Sequence, residues 1–160
     1  MNDLSYTAKV FKTVWVSDVH LGTKGSRAKE FLEFLKTIEC EKIFLVGDIV
    51  DGWQLSKRWY WPQTHNDVVQ KILEKAKRGT EIIFIPGNHD EVARDFIGLT
   101  MGGIKVKDDD IHYTADGKKF WVVHGDLFDN VIQHARWLAY IGDWAYVFLL
   151  KTNAVFNAIR

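Results

Sequence analysis

The sequence has little cysteine and no excess of charge of either sign. Cys40 is the single cysteine among 160 residues, so the chain can form no internal disulfide and a reducing compartment is favoured. The 21 basic residues balance the 21 acidic ones, which disfavours a surface built to neutralise a nucleic-acid backbone. Residues 1–12 contain no apolar run long enough for a signal peptide. We therefore predict a cytoplasmic protein that does not bind nucleic acid.

Hydrophobic residues are abundant, and short apolar runs alternate with stretches of helical periodicity. Hydrophobic types make up 47% of the chain, which excludes disorder for the chain as a whole. The runs at 14–17, 43–46, 82–85 and 120–123 are nearly all apolar, which is typical of strands covered on both faces. The alternation of these runs with helical stretches predicts a layered α/β fold with parallel strand pairing at its centre.

Two stretches between the runs are predicted to be helices. Residues 26–38 and 64–78 place apolar side chains at spacings of three and four. Ser26 and Thr64 are plausible N-caps, and Gly79 follows the second stretch as an ordinary helix end.

Residues 131–150 differ from the rest because they are rich in aromatic side chains. We predict a helix there, as a buried core helix, a lid over an apolar substrate, or a helix lying on a membrane surface. Two charges and a histidine inside the segment disfavour a transmembrane span. We therefore divide the chain into residues 1–130 and an aromatic-rich helical segment at 131–160.

Polar side chains of the kind that bind metals follow all four apolar runs. These are Asp18 and His20; Asp48 and Asp51; Asn88, His89 and Asp90; and His124 and Asp126. Because sites assemble at the carboxyl ends of strands in α/β sheets, we expect these side chains to converge. The spacing of Asp18 and His20 would point both the same way from an extended segment. Glycines beside three of the motifs, Gly47, Gly87 and Gly125, suggest sharp turns next to ligands.

The types of donor restrict the metal. Carboxylates, an amide and imidazoles without thiolate favour Mn, Fe, Mg or Zn. A carboxylate-bridged pair of such ions clamps the oxygens of a phosphoryl displacement, which indicates hydrolysis by a metal-activated hydroxide. Each motif alone is a weak signal, and Asp51 alone could merely cap the segment that follows it. The four motifs together, each at a strand end, favour a metal site.

In their order along the chain, the motifs resemble those of the calcineurin-like metallophosphoesterases. They read Ser-Asp-Val-His-Leu-Gly at 17–22, Gly-Asp-Ile-Val-Asp-Gly at 47–52, Gly-Asn-His-Asp at 87–90 and His-Gly-Asp at 124–126. The resemblance spans residues 13–130. It implies a four-layer αββα sandwich with a centre of two divalent ions, manganese foremost and iron, zinc or magnesium as alternatives.

The resemblance also implies a role for each matching residue. The metal ligands would be Asp18 and His20 for one ion, Asp48 for both ions, and Asn88 and His124 for the second. His89 would contact the phosphate and protonate the leaving oxygen, a role that suits histidine because it titrates near neutral pH. Asp51, Asp90 and Asp126 would orient the ligands.

Within the family, the motif at 51–53, the aromatic run at 59–62 and the segment at 131–150 resemble the UDP-2,3-diacylglucosamine diphosphatases. These enzymes cleave a pyrophosphate bond in a lipid A precursor, so the resemblance implies a lipid-linked nucleotide substrate and peripheral contact with the inner membrane face. Trp53, Lys57, Arg58 and Arg94 are the candidate substrate-binding residues. Alternatively, Trp53 is a packing residue and Arg94 an ordinary surface charge, and many enzymes of this branch carry Arg where His89 stands.

The chain departs from the family pattern at its end, since it has no Gly-His-x-His motif before Arg160. We expect a fragment that is incomplete at the C-terminus, with a shortened homologue as the alternative. A fragment would leave apolar surface uncovered and self-associate. Three functions stay open: hydrolysis of a nucleotide-linked lipid pyrophosphate, hydrolysis of a small phosphoester, and a catalytically impaired binding piece.

Overall fold

The computed structural model of the chain describes residues 9–129. The chain divides into two compact units, Met1–His124 and Gly125–Arg160. Of the second unit, residues 125–129 are described, and 126–129 are helical. The helix predicted at 131–150 lies outside the described residues, and the boundary predicted after residue 130 stays a prediction.

Helices and strands alternate along the first unit as the sequence predicts. In chain order the elements are β1 (Lys9–Val16), α1 (Ala28–Thr37), β2 (Ile38–Val46), α2 (Gly52–Lys57), α3 (Gln63–Lys77), β3 (Glu81–Ile85), a 3-10 helix (Glu91–Phe96), β4 (Thr100–Met101), β5 (Ile104–Val106), β6 (Asp110–Tyr113) and β7 (Lys119–Val122).

Five strands form the main sheet, in the order β1-β2-β3-β5-β4. The pairs β1–β2, β2–β3 and β3–β5 are parallel, and β4 joins antiparallel to β5. The predicted parallel α/β fold is therefore confirmed. The fourth predicted strand does not join this sheet, because β7 pairs antiparallel with β6 in a separate two-stranded sheet, the β6–β7 hairpin.

Helices α1 and α3 cover one face of the main sheet. Leu35 of α1 and Val68 of α3 pack with Ile43 and Ile82 of the central strands, and all four side chains are fully buried. Full burial of such a side chain contributes about 1.5–3 kcal/mol, so this layer is a major source of the stability of the unit.

The starts of the two helices differ from the prediction. Helix α1 begins at Ala28, and the Ser26 hydroxyl donates to the Val19 carbonyl oxygen instead of capping the helix. Helix α3 begins at Gln63 with Pro62 before it, so Thr64 lies inside its first turn. The predicted end of α3 is confirmed, since Gly79 follows it with a φ of +100°.

The hairpin covers part of the opposite face. Val122 packs with Phe44, Ile83 and Ile85, and the ring of Trp15 stacks on Phe44 at 5.9 Å. The described residues thus provide three layers: helices, main sheet and hairpin.

Only the central strands match the prediction of strands covered on both faces. Among the described residues β1 has a neighbouring strand on one side only, and most of its side chains are exposed; Phe120 and Trp121 of β7 are about half exposed. The prediction was wrong for these two strands, because an apolar run does not show whether a strand lies at the edge of its sheet. None of the described helices combines the length and the hydropathy that a bilayer crossing requires.

Candidate metal centre

Backbone hydrogen bonds hold together the loops that follow β1, β2 and β3. The pairing of β1 with β2 continues beyond the strands, because the His20 amide donates to the Asp48 carbonyl oxygen at 2.9 Å. Leu21 and Val50 form a further parallel bridge. The Gly47 amide donates to the Ile85 carbonyl oxygen at 2.7 Å, which joins the ends of β2 and β3. Motifs that lie far apart in the sequence therefore meet at one edge of the sheet.

Three of the predicted ligands have left-handed backbone conformations. The φ angles are +57° at Asp18, +50° at His20 and +57° at Asp48. Such angles are uncommon outside glycine and cost about 1 kcal/mol or more per residue. The prediction of an extended segment at 18–20 was therefore wrong, since both side chains reach the site from left-handed turns. The hydrogen bonds between the loops offset part of this cost.

The carboxylate of Asp48 lies between two imidazole rings. Its Oδ2 atom is 3.9 Å from Nε2 of His20 and 4.0 Å from Nε2 of His124. The same His20 nitrogen is 4.0 Å from Oδ1 of Asp18. The other Asp48 oxygen, Oδ1, accepts a hydrogen bond from the His89 amide at 3.0 Å. Asp48 thus has one oxygen that is held by the backbone and one that faces both rings.

Glycines leave the space that this arrangement needs. A Cβ atom on Gly47 would lie 2.1 Å from Cδ2 of His124, and one on Gly87 would lie 2.4 Å from Oδ1 of Asp48. Gly47 also has a positive φ of +66°, so the prediction of a sharp turn is confirmed there. Gly125 also lies in a turn, although its φ is not in the left-handed region and an added Cβ would meet no atom of the described residues within 4 Å.

Asp51 serves two structural purposes at once. Its Oδ1 accepts from the Gln54 amide at 2.8 Å and caps α2, while its Oδ2 accepts from Nδ1 of His20 at 3.2 Å and lies 3.1 Å from Nδ1 of His89. Burial raises the pKa of this carboxyl group, but the Gln54 amide and the two imidazoles outweigh burial and lower it below its usual value. Both interpretations of Asp51, as a cap and as a group that orients ligands, fit the structure.

His89 lies between aromatic rings at the edge of this cluster. The ring of Trp53 is 4.4 Å away, and the ring of His20 meets it edge-on at 4.8 Å. The His89 carbonyl oxygen accepts from the Gly52 amide at 2.8 Å, and a Cβ on Gly52 would approach this oxygen to 3.0 Å. Two residues at the start of α2 therefore hold His89: Gly52 contacts its backbone and Trp53 contacts its ring.

Asp90 holds the loops after β2 and β3 in register. Its buried carboxylate accepts from the amides of Asp48, Ile49 and Gly87 and, at 3.4 Å, from Val50. The remaining two residues of these motifs are Asn88 and Asp126. Asn88 lies half-buried on the same loop, and Asp126 belongs to the second unit, where its role stays a prediction.

The candidate substrate-binding residues occupy different surroundings. Trp53 is 47% exposed beside His89, and Lys57 and Arg58 are exposed at the end of α2. The guanidinium of Arg94 donates to Oδ1 of Asp108 at 3.0 Å. The structure therefore brings Trp53 to the cluster and gives Arg94 a carboxylate partner.

His65 is a structural residue of the site that the sequence did not reveal. It is buried, and its Nδ1 accepts from the Gly22 amide at 3.0 Å. Burial lowers the pKa of this imidazole, which keeps it neutral and able to accept. No periodicity or motif connects residues 22 and 65, so only the fold could show that His65 fastens the loop after His20.

The side chains fit divalent metal ions. Asp18, Asp48 and His124 can bring one ligand atom each within 4.8 Å of one another, and so can His20, Asp51 and His89. In the second group, Asp51 already accepts from Gln54 and His20, so this group is better explained as a hydrogen-bonded network that orients His20. Nitrogen and oxygen ligands lie about 2.0–2.2 Å from a zinc-like ion, and the 3.9–4.0 Å separations around Asp48 do not exceed twice that distance.

Comparison with known proteins identifies the class. A family model of the calcineurin-like phosphoesterases matches residues 11–152, and the chain belongs to this family. Two curated relatives are named UDP-2,3-diacylglucosamine hydrolase. The protein of Blochmanniella pennsylvanica is 26% identical over 129 residues, which are 77% of this chain and 51% of the relative. The protein of Azotobacter vinelandii is 26% identical over 144 residues, which are 87% of this chain and 58% of the relative.

The chain thus spans a little over half the length of these two relatives. A solved structure, that of the nuclease MPE of Pseudomonas putida, is 26% identical to this chain. The match covers 61% of this chain and 48% of the nuclease, with a TM-score of 0.39.

Proposed function

We propose that the chain is a metal-dependent phosphohydrolase domain. Asp18, His20, Asp48, Asn88 and His124 would hold two divalent ions, with Mn²⁺ foremost. The observation that carries this proposal is the position of Asp48 Oδ2, which is 3.9 Å from one imidazole nitrogen and 4.0 Å from another. A carboxylate in this position suits a ligand shared between two ions.

The hydrogen bonds around the cluster prepare these ligands. His20 donates its Nδ1 proton to Asp51, so its Nε2 keeps the lone pair that a metal ligand needs. The His89 amide holds Oδ1 of Asp48 and leaves Oδ2 facing the rings. Divalent ions bound there supply Lewis-acid polarisation of a phosphate ester and lower the pKa of a water molecule.

His89 is the proposed general acid. Because its Nδ1 lies 3.1 Å from Asp51 Oδ2, its Nε2 is the atom that can donate a proton to the leaving oxygen. Trp53 packs on the ring at 4.4 Å and restricts its rotation. A ring that is already held in one orientation loses less conformational freedom on reaching the reactive geometry, and this positioning makes a general acid effective.

The proposed substrate is a nucleotide-linked lipid with a pyrophosphate bond, of which UDP-2,3-diacylglucosamine is the leading candidate. The names of the two curated relatives support it, as does the exposed Trp53 beside His89, with Lys57 and Arg58 at the end of the same helix. Arg94 would have to exchange Asp108 for the substrate. A small phosphoester is the alternative substrate, and an impaired binding piece is the alternative to an enzyme.

Titration with Mn²⁺, followed by calorimetry, tests the site. We expect Asp48→Asn to weaken Mn²⁺ binding by about 100-fold or more, because mutation of residues that only hydrogen-bond to metal ligands already lowers metal affinity about 10–100-fold. Asp95→Asn is the matched control because Asp95 is exposed on the 3-10 helix. Unchanged Mn²⁺ affinity in the Asp48 variant would disprove the proposed centre.

Two hydrolysis assays with added Mn²⁺ then separate the functions. Release of UMP from UDP-2,3-diacylglucosamine supports the lipid-linked substrate, whereas turnover of p-nitrophenyl phosphate alone supports the small phosphoester. Metal binding without either activity supports the binding piece.

A further inference from the structure

A groove of about 610 Å³ adjoins the candidate metal centre. Asp18 and His20 belong to its lining, so the groove and the metal centre share two side chains. Its other walls come from the end of β1, the loop after His20 and the first turn of α1; the residues that the argument uses are Val19, Thr23, Ser26, Arg27, Glu30 and Phe31. Binding sites for small molecules commonly have volumes of about 300–1,000 Å³, so a nucleotide fits.

Hydrogen bonds hold the walls of the groove in place. The Ser26 hydroxyl donates to the Val19 carbonyl oxygen at 2.7 Å, and the Thr23 hydroxyl donates to the His20 carbonyl oxygen at 3.0 Å. Phe31 is half-buried and packs against the core under α1. A wall that is already ordered loses little conformational entropy when a ligand binds.

The side chains of the groove are of mixed character. Phe31 offers an aromatic surface, Arg27 a guanidinium and Glu30 a carboxylate. Arg27 is exposed and forms no ion pair with any of the described residues. Arg27 and Glu30 are exposed, so an acyl chain lying in the groove would have to displace the water that solvates them, which is unfavourable. A nucleoside phosphate satisfies all three, since its base can stack, its phosphate accepts from arginine and its hydroxyl groups donate to a carboxylate.

We propose that this groove binds the nucleoside monophosphate part of the substrate, with Arg27 and Phe31 as specificity-determining residues. Arg27 contacts the phosphate and Phe31 contacts the base, while the bond to be cleaved extends toward Asp18 and His20. This inference rests on the proposed function, because it assigns one part of that substrate to a place beside the same site.

Binding of uridine monophosphate to the full chain, followed by NMR at the backbone amides of residues 23–31, tests the groove without turnover. We expect Arg27→Gln to weaken binding about tenfold, the effect of losing one charge-assisted hydrogen bond. Lys29→Gln is the matched control, since Lys29 is exposed on the same helix and does not line the groove. Absence of binding, or equal binding by the Arg27 variant, would overturn the proposal.

A second ligand separates the roles of the two residues. We expect Phe31→Leu, which keeps an apolar side chain in the core, to weaken uridine monophosphate and to leave ribose 5-phosphate unaffected. Equal effects on both ligands would overturn the assignment of Phe31 to the base.

The groove and the proposed function can fail separately. Turnover of p-nitrophenyl phosphate with no binding of uridine monophosphate would retain the phosphohydrolase and reject the groove. Binding that depends on Arg27, in a protein that neither binds Mn²⁺ nor hydrolyses phosphate esters, would retain the groove and reject the phosphohydrolase.

Discussion

The two faces of the main sheet differ in how well they are covered. On the helix face, Leu35 and Val68 are fully buried. On the hairpin face, Trp15 is 47% exposed and Phe120 is 53% exposed. Parallel sheets are normally covered on both faces, and among the described residues the hairpin covers only the central part of the second face, around Phe44 and Ile83.

The difference shows that stability and chemistry come from different combinations of elements. The helix face supplies the larger buried core, whereas the candidate metal centre needs both sides. His20 comes from the loop after β1, and His124 follows β7 of the hairpin. The less covered face is therefore still required, because it carries one of the two imidazoles beside Asp48.

The largest effect that separates the two faces is expected from core truncation. Leu35→Ala should lower the free energy of unfolding by about 3 kcal/mol, because it leaves a cavity between helix and sheet. Phe120→Ala should lower it by about 1 kcal/mol or less, since half of this ring is already in water. Urea denaturation measures both values. Equal losses would show that the two faces are equally well packed, contrary to the comparison.

A smaller effect is expected from the carboxylate that supports His20, the imidazole from the loop after β1. Asp51→Asn keeps an oxygen to cap α2 but removes the negative charge beside His20 and His89. We expect Mn²⁺ affinity to fall about 10–100-fold, as for other groups that orient ligands, with little change in the urea midpoint. Asp67→Asn on the surface of α3 is the control. An unchanged affinity would show that His20 needs no support from Asp51.

The smallest effect concerns an ion-pair network in the main sheet. Lys105 on β5, and then Lys42 on β2, lower the pKa of Glu81 from 4.5 to about 2. Because this pKa is lower in the folded chain, the stabilisation is complete above pH 4.5 and is lost as the pH falls through 2. Glu81→Gln should therefore cost at most about 1 kcal/mol at neutral pH, and the difference should vanish in acid.

The hairpin offers the matched variant for this last measurement. Asp116 and Lys118 form an exposed pair in its turn, so Asp116→Asn should have no measurable effect on the urea midpoint. A larger loss of folding stability for Asp116→Asn than for Glu81→Gln would contradict the expectation that the ion pairs of the main sheet contribute more than the pair in the hairpin.

Much of the candidate site could be predicted because its residues follow buried strands. The runs before Asp48 and Asn88 are apolar on both faces, and parallel strands bring their carboxyl ends to one edge. The backbone at Asp18 and His20 could not be predicted, because a left-handed turn in residues other than glycine depends on hydrogen bonds from a neighbouring loop. The same holds for His65, whose partner Gly22 is distant in the sequence.

The sequence by itself determined the class of fold, the strand-end motifs and the types of donor, because these follow from local periodicity and side-chain chemistry. With a single cysteine in the chain, carboxylates, an amide and imidazoles were the candidate ligands. Only the tertiary structure decided that β7 leaves the main sheet, that Asp51 connects His20 with the region of His89, and that Asp48 lies between two rings. These facts depend on contacts between distant segments, and no local pattern in a chain specifies such contacts.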